Sequence, residues 1–419
     1  MNISESSKAG STVFGLRMLG SLRNSSYRLY FFGTIAHFAA MSMQIVTGPL
    51  LIYRLTDSPA LLGTMSLVGA APMIAISVFG GAFADRMQKK KILITGLLCS
   101  SVVALSIALS LTTGQLSREN AGSWWILMVA SVCQGTIMGL MMPALQAIIP
   151  EIVSREQLMN AVALNTLGMN LLNLTAPGIA GFMIDAFDFK AVYFTMTGCY
   201  ICAALFIMSI PGKSRIIALG SNILADIQKG FQYIRKDSLI LFILAFTLVV
   251  VVLSMPYQQL LPIFVDDILK VGATGMGVLM SVSGAGALVG SIILATLPNK
   301  KRGIMLLASG IIAGIALVVF SFSSHWTLSL AFIFFVGLCQ TFRMTIGSTL
   351  LQAYTEGVYM GRVMSILNMQ WGFMSICTFI AGMLAEVVAV QWVLGSLAIL
   401  LSILSILSLF FVPSIRKID

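Results

Sequence analysis

Charge is scarce in this sequence. Of its 419 residues only 10% are Asp, Glu, Lys or Arg, against about 25% in an average soluble domain. A chain with so little polar surface cannot stay dissolved, which excludes a soluble enzyme and an intrinsically disordered chain alike. Histidine is rarer still, with two in the whole chain, and no cluster of carboxylates joins them to suggest a metal centre. The six cysteines (Cys99, Cys133, Cys199, Cys202, Cys339 and Cys377) all fall inside apolar stretches. They make neither a disulfide framework nor a zinc spacing, and Cys199 with Cys202 reads as one turn of buried helix. No phosphate-binding P-loop is present, so direct ATP drive would need a partner. What fills the space is apolar: 58% of residues are of the AVILMFWYC set and the mean hydropathy is +0.97. The stretches lack the period-2 alternation of a membrane β-barrel. Val387–Pro413 holds no charged residue, which exceeds the ~20 residues of a membrane-spanning helix. The expectation is a polytopic, all-α membrane protein.

Apolar runs between polar breaks predict twelve spans, near 29–53, 59–84, 92–113, 124–147, 160–185, 189–211, 239–264, 273–297, 304–322, 327–353, 363–386 and 389–412. The expected organisation is an N-terminal segment (1–28), a six-helix bundle (29–211), a linker (212–237), a second six-helix bundle (238–412) and a tail (413–419). Met1–Arg28 is polar and basic, with no short apolar segment and cleavage site, so no signal peptide is expected. In the linker, Leu224, Ile227, Phe231 and Ile234 share one face, the pattern of an amphipathic helix on a membrane surface. Twenty of the 25 Lys and Arg fall on alternate loops beginning with the N-terminus. The opposite loops carry only Arg54, Arg118, Lys190 and Lys270, and Arg343 lies inside a span. The positive-inside rule then places both termini in the cytoplasm. The net charge of +10 is a topology signal, and nothing suggests nucleic acid.

The two halves repeat. Cys133-Gln134 to Leu145-Gln146-Ala147 aligns with Cys339-Gln340 to Leu351-Gln352-Ala353, and Leu164-Asn165 with Leu367-Asn368. Ala180-Gly181-x-x-x-Asp185 aligns with Ala381-Gly382-x-x-x-Glu386, and Lys89-Lys90-Lys91 with Lys300-Lys301-Arg302. The order is collinear, as small loop deletions would leave it. A six-helix unit duplicated in parallel orientation is a secondary-transporter architecture, with solute bound between the halves.

Between spans two and three stands Gly81-x-x-x-Asp85-Arg86-x-x-Lys89-Lys90. This resembles the G-x-x-x-D-R-x-x-R/K-R/K signature of the major facilitator superfamily, and with the spans and the repeat the resemblance covers essentially the whole chain. It implies a twelve-helix fold of two pseudo-symmetric bundles, alternating access, and a cytoplasmic gate formed by Gly81, Asp85, Arg86, Lys89 and Lys90. Thr296 stands where Asp85 would recur in the second copy. Span five carries Ala176-Pro177-x-x-Ala180-Gly181, similar to the fifth-helix motif of superfamily antiporters, with alanines for two glycines. Pro177 can kink the helix, and Ala180-Gly181 allows close packing against the other half. Ser131 occupies the position where drug antiporters often carry an arginine before Gln134-Gly135, so that proton relay does not transfer. Asp185 and Glu386, at predicted outer helix ends, suggest outer-gate or packing roles. Ser154–Ala161 with Leu164-Asn165, and Tyr354–Ser365, are similar to the branch of enterobactin exporters and macrolide efflux proteins.

In this superfamily helices one, four, seven and ten line the solute cavity. The rare polar residues of the matching spans are His37 and Gln44 (with Met41 at helical spacing), Gln134, Tyr257, Gln258, Gln340 and Arg343. Intramembrane ionisable groups are costly and mark function by default. The expectation is a monomeric, proton-driven exporter of a small amphipathic molecule in the bacterial inner membrane, with no cofactor. The alternatives are an importer, a membrane-embedded lipid-modifying enzyme or a non-transporting sensor.

Overall fold

A computed structural model of the chain describes residues 20–86, 88–120, 122–211, 232–235, 237–298, 300–356 and 359–412. The described residues form helices α1 (Ser25–Thr56), α2 (Pro59–Arg86), α3 (Lys89–Thr112) and α4 (Trp125–Ile152). A run of 54 residues follows, Arg155–Met208. At 1.5 Å per residue it would measure about 80 Å, far more than the ~30 Å hydrocarbon core of a bilayer. The run is broken at Asp188, whose φ of 72° and ψ of 165° are non-helical. The Asp188 carboxylate accepts from the Phe189 N–H at 2.6 Å and so starts a new helix. This divides the run into α5 (155–187) and α6 (189–208). The second half contains α7 (Ser238–Ile268), α8 (Gly272–Thr296), α9 (Arg302–Phe322), α10 (Trp326–Tyr354), α11 (Met360–Asn368 and Gln370–Ala385) and α12 (Val390–Phe411). Twelve spans result. Of the expected linker helix only 232–235, which are helical, and Asp237 are described.

Caps explain where several helices begin. The Asn24 side chain accepts from the N–H groups of Ser26 and Tyr27 at 3.0 and 3.3 Å, so α1 starts four residues before the apolar run suggests. Asp237 does the same for α7, accepting from Leu239 and Ile240 at 2.8 and 3.2 Å. α7 is interrupted at Met255, ahead of Pro256, and closes with a π-turn over Phe264–Ile268. Proline supplies no N–H to the ladder, so a break there is expected.

Outward faces are apolar. Leu98, Val102, Leu105 and Leu109 of α3 are exposed at i, i+4, i+7 and i+11, as are Ile399, Ile403, Ile406 and Phe410 of α12. Such stripes cover one helix face each and suit lipid rather than water. Cys199 and Cys202 lie one turn apart on α6, but Cys202 is exposed, so only the first belongs partly to the interior. Within the halves, α1 packs on the α5–α6 run, α2 on α4, α8 on α10 and α9 on α12. Between the halves, α5 meets α8 and α2 meets α11. One apolar core joins the whole first half to the α7–α8 end of the second, and a separate core holds the opposite end of the second half.

Candidate functional site

Two glycines from the repeat set the contact between the halves. Gly181 of α5 lies against the Ala273 carbonyl of α8, where a Cβ would overlap it. Its repeat counterpart, Gly382 of α11, likewise lies against the Pro59 carbonyl of α2. One turn further along stand the two acids. Asp185 accepts from the N–H groups of Ala273 and Thr274 at 3.3 and 2.7 Å. Glu386 accepts from the Ala60 N–H and the Ser58 hydroxyl, both at 3.0 Å. Each carboxylate therefore sits at the N-terminus of a helix in the opposite half, where free N–H groups and the helix dipole favour an anion. Pro177 and Ala176 lie two turns below on α5, and the Pro177 carbonyl fills the space beside Gly277 of α8.

A third tie joins α1 to α7. Arg54 donates from Nε and a terminal nitrogen to the two oxygens of Asp266 at 2.9 and 3.0 Å, a paired geometry that fixes orientation as well as charge. The Tyr53 hydroxyl donates to Asp267. All these contacts lie at the end opposite the basic loops. Among the described residues, seven hydrogen bonds join the halves at this end.

At the basic end, Lys89 and Lys90 make their described contacts within the first half. Lys89 pairs with Glu151 of α4, and Lys90 donates to the carbonyls of Met208 and Ile210 at 2.8 and 2.6 Å. These lysines tie α3 to α4 and to the end of α6, and in this conformation neither bridges the halves. Gly81, Asp85 and Arg86 fall in the last turns of α2, and their side chains lie outside the described residues.

The polar residues expected in the cavity separate into two groups. His37 is 1% exposed, its ring packed against Phe38 and Tyr200 at 5.3 and 5.9 Å. Among the described residues, neither ring nitrogen has a hydrogen-bond partner. It points from α1 into α6, inside the first half. Gln44 and Gln134 are half-buried and face Tyr193 and Tyr200 of the same helix α6. In the second half, Tyr257, Gln340 and Arg343 line one small cavity with Ser254 and Met255. Its volume is about 10 Å³, room for roughly one water. The Gln258 amide donates to the Tyr257 hydroxyl at 3.4 Å. Arg343 is 3% exposed and donates to Gln370 of α11 at 3.3 Å.

The profile of the transmembrane secretion effector family, one of the major facilitator families, matches residues 17–419. The chain is a major facilitator transporter. Among its relatives, macrolide efflux protein A of Streptococcus pyogenes is 23% identical over 399 residues, covering 91% of this chain and 96% of that protein. The enterobactin exporter of Shigella boydii is 22% identical over 350 residues, covering 82% of this chain and 81% of that one. In fold, the transporter matches a bacterial homologue of the human lysosomal transporter Spinster, solved inward-facing and unoccupied. The TM-score is 0.68 at 13% identity, over 94% of this chain and 96% of the other. The family and these neighbours are transporters rather than enzymes.

Four residues of the transporter's ties escaped the sequence reading: Tyr53, Arg54, Asp266 and Asp267. A cue existed, because Arg54 is one of four basic residues on the charge-poor side and Asp266-Asp267 is the only adjacent acid pair. Gln370 had no such cue.

Proposed function

We propose that this transporter exports a small amphipathic molecule across the bacterial inner membrane by alternating access, as a proton antiporter acting as a monomer. The observation that carries the reading is the cluster of ties between the halves at the end opposite the basic loops. With the basic loops in the cytoplasm, the tied end faces outward and the solute would load from the cytoplasmic side. The relatives named for macrolide efflux and enterobactin export agree with that direction. Asp185, Glu386 and the Arg54–Asp266 pair form the outer gate. In the reverse state the Asp85 loop takes over the latch, with Arg86, Lys89 and Lys90 holding its edge. The α5 segment Ala176-Pro177-x-x-Ala180-Gly181 is the surface on which α8 pivots.

The test is transport in right-side-out and inverted membrane vesicles, with macrolides and siderophores as the panel, with and without a protonophore. Inverted vesicles should accumulate at least one member, and the protonophore should abolish accumulation. Accumulation confined to right-side-out vesicles would establish import instead. Orientation is checked separately in a cysteine-free background: an impermeant thiol reagent on intact cells should label Ser117→Cys and spare Gln88→Cys.

A further inference from the structure

Among the described residues, no acidic side chain pairs with Arg343. It lies seventeen residues past the start of α10 and eleven before its end, about 25 and 17 Å from the two termini of the helix. The described acids of the second half sit elsewhere: Asp266 and Asp267 in the closing turn of α7, Asp237 at its start, Glu356 beyond the end of α10 and Glu386 beyond the end of α11. The guanidinium has five N–H donors, and the hydrogen bond described for it goes to the neutral amide oxygen of Gln370. A charge buried this deeply needs compensation. The duplicated fold does not call for it, because the repeat places Ile137 at this position.

We infer that the Arg343 cavity is a subsite for the anionic group of the solute, a carboxylate or an ionised phenol, and that the transporter selects anionic amphiphiles over cationic ones. The proposal rests on the export reading for its solute, and names the solute's charge. The cavity's other walls suit such a group. Ser254 and Tyr257 supply hydroxyls and Gln340 an amide, donors that complete the shell of an oxyanion beside a planar guanidinium fork. A solute amine at the same place would meet a like charge at low dielectric, which disfavours it.

The cavity is also joined to the outer gate through one element. Ser254, Met255 and Tyr257 line it and flank the break in α7. The segment beyond that break ends in Asp266 and Asp267, which tie α7 to α1. With these ties made, the cavity holds about one water. Admitting a carboxylate requires the walls to part, and a displacement of Tyr257 would carry the second part of α7 with it and pull on the ties. Occupancy by an anion would thus favour release of the outer gate.

The full-length chain, purified in detergent, tests this by titration calorimetry with salicylate, 2,3-dihydroxybenzoate and decanoate. Each is paired with its neutral amide, and tetraphenylphosphonium serves as the cationic probe. The wild type should bind at least one anion at least tenfold more tightly than the matching amide. Arg343→Lys should weaken that anion about tenfold and Arg343→Gln about a hundredfold, as expected for hydrogen bonds to a charged group, with the neutral amide weakened at least tenfold less than the anion. Gln370→Leu frees the guanidinium and should keep or tighten the anion, an outcome that a purely structural arginine would not give. It also keeps the test alive if Arg343→Gln fails to fold. Binding of no anion, equal binding of the amides or of tetraphenylphosphonium, or displacement of the anion by 100–150 mM chloride on the order of physiological salt would each overturn the proposal. Because binding in micelles needs no gradient, anion binding without export in vesicles sinks the export reading alone. Export of neutral solutes without anion binding sinks this one alone.

Discussion

The two halves share a frame and differ in what they bury. In the first half α1 runs unbroken over 32 residues, with Pro49 inside it, and it buries the imidazole of His37. In the second half the equivalent helix α7 is interrupted at Met255 and wound into a π-turn at its end, and the half buries a full charge, Arg343. Contacts inside the halves have also drifted. The repeat aligns Gly135 of α4 with Thr341 of α10. Gly135 presses on the Gly69 carbonyl of α2, whereas Thr341 donates its hydroxyl to the Ala287 carbonyl of α8 at 3.2 Å. By contrast Gly181 and Gly382, with Asp185 and Glu386, have kept the same role in both copies. At these two seams between the halves the repeat is preserved, and at Arg343, whose counterpart is Ile137, it has diverged.

That comparison breaks most sharply at the two glycines. If the contacts are equivalent, Gly181→Leu and Gly382→Leu should each destabilise the protein by about 3 kcal/mol or more, because backbone carbonyls cannot yield as a side chain can. Each variant should lose its monodisperse peak in detergent size-exclusion chromatography. Failure of only one would show that one seam carries the assembly. A smaller effect is expected at the acids. Asp185→Asn and Glu386→Gln remove exposed anions from helix N-termini, worth about 1 kcal/mol each. Either change should raise the outward-open population roughly fivefold. Distances between spin labels on Asn120→Cys and Val388→Cys at that end report it. Equal shifts support equivalence, and no shift leaves the Arg54–Asp266 pair as the sole latch. The smallest effect belongs to His37→Leu. Replacing an unpaired buried imidazole by an apolar side chain should change stability by less than about 1 kcal/mol, and in the favourable direction. A loss of export with stability intact would instead make His37 part of the transport chemistry.

Most of the frame was legible in the sequence, since length and hydropathy are local properties. The twelve spans, the duplication and the acids at the helix ends all follow from runs of residues read in order. Even the α5–α6 break had a local sign in the polar gap around Asp188. The ties were harder to see, because Arg54 and Asp266 are separated by 212 positions and only the packed fold brings them together. The destination of a polar face was harder still. Helical spacing puts His37 and Gln44 on one side of α1, but their neighbour there is α6 and not the seam between the halves. Gln370 was invisible for the same reason: its partner is fixed by how α11 leans on α10.

The paired acids have a consequence for the history of the chain. Asp185 of one half caps a helix of the other, and Glu386 returns the contact to the equivalent helix. That is the reciprocity of an isologous interface, in which patch i of one subunit meets patch j of its copy and the reverse. The present seam therefore has the geometry of a homodimer of six-helix subunits, later fused into one polypeptide. A descendant of such a dimer should not depend on its covalent join. Two fragments severed within 212–231 and produced together should find each other in the membrane and reassemble.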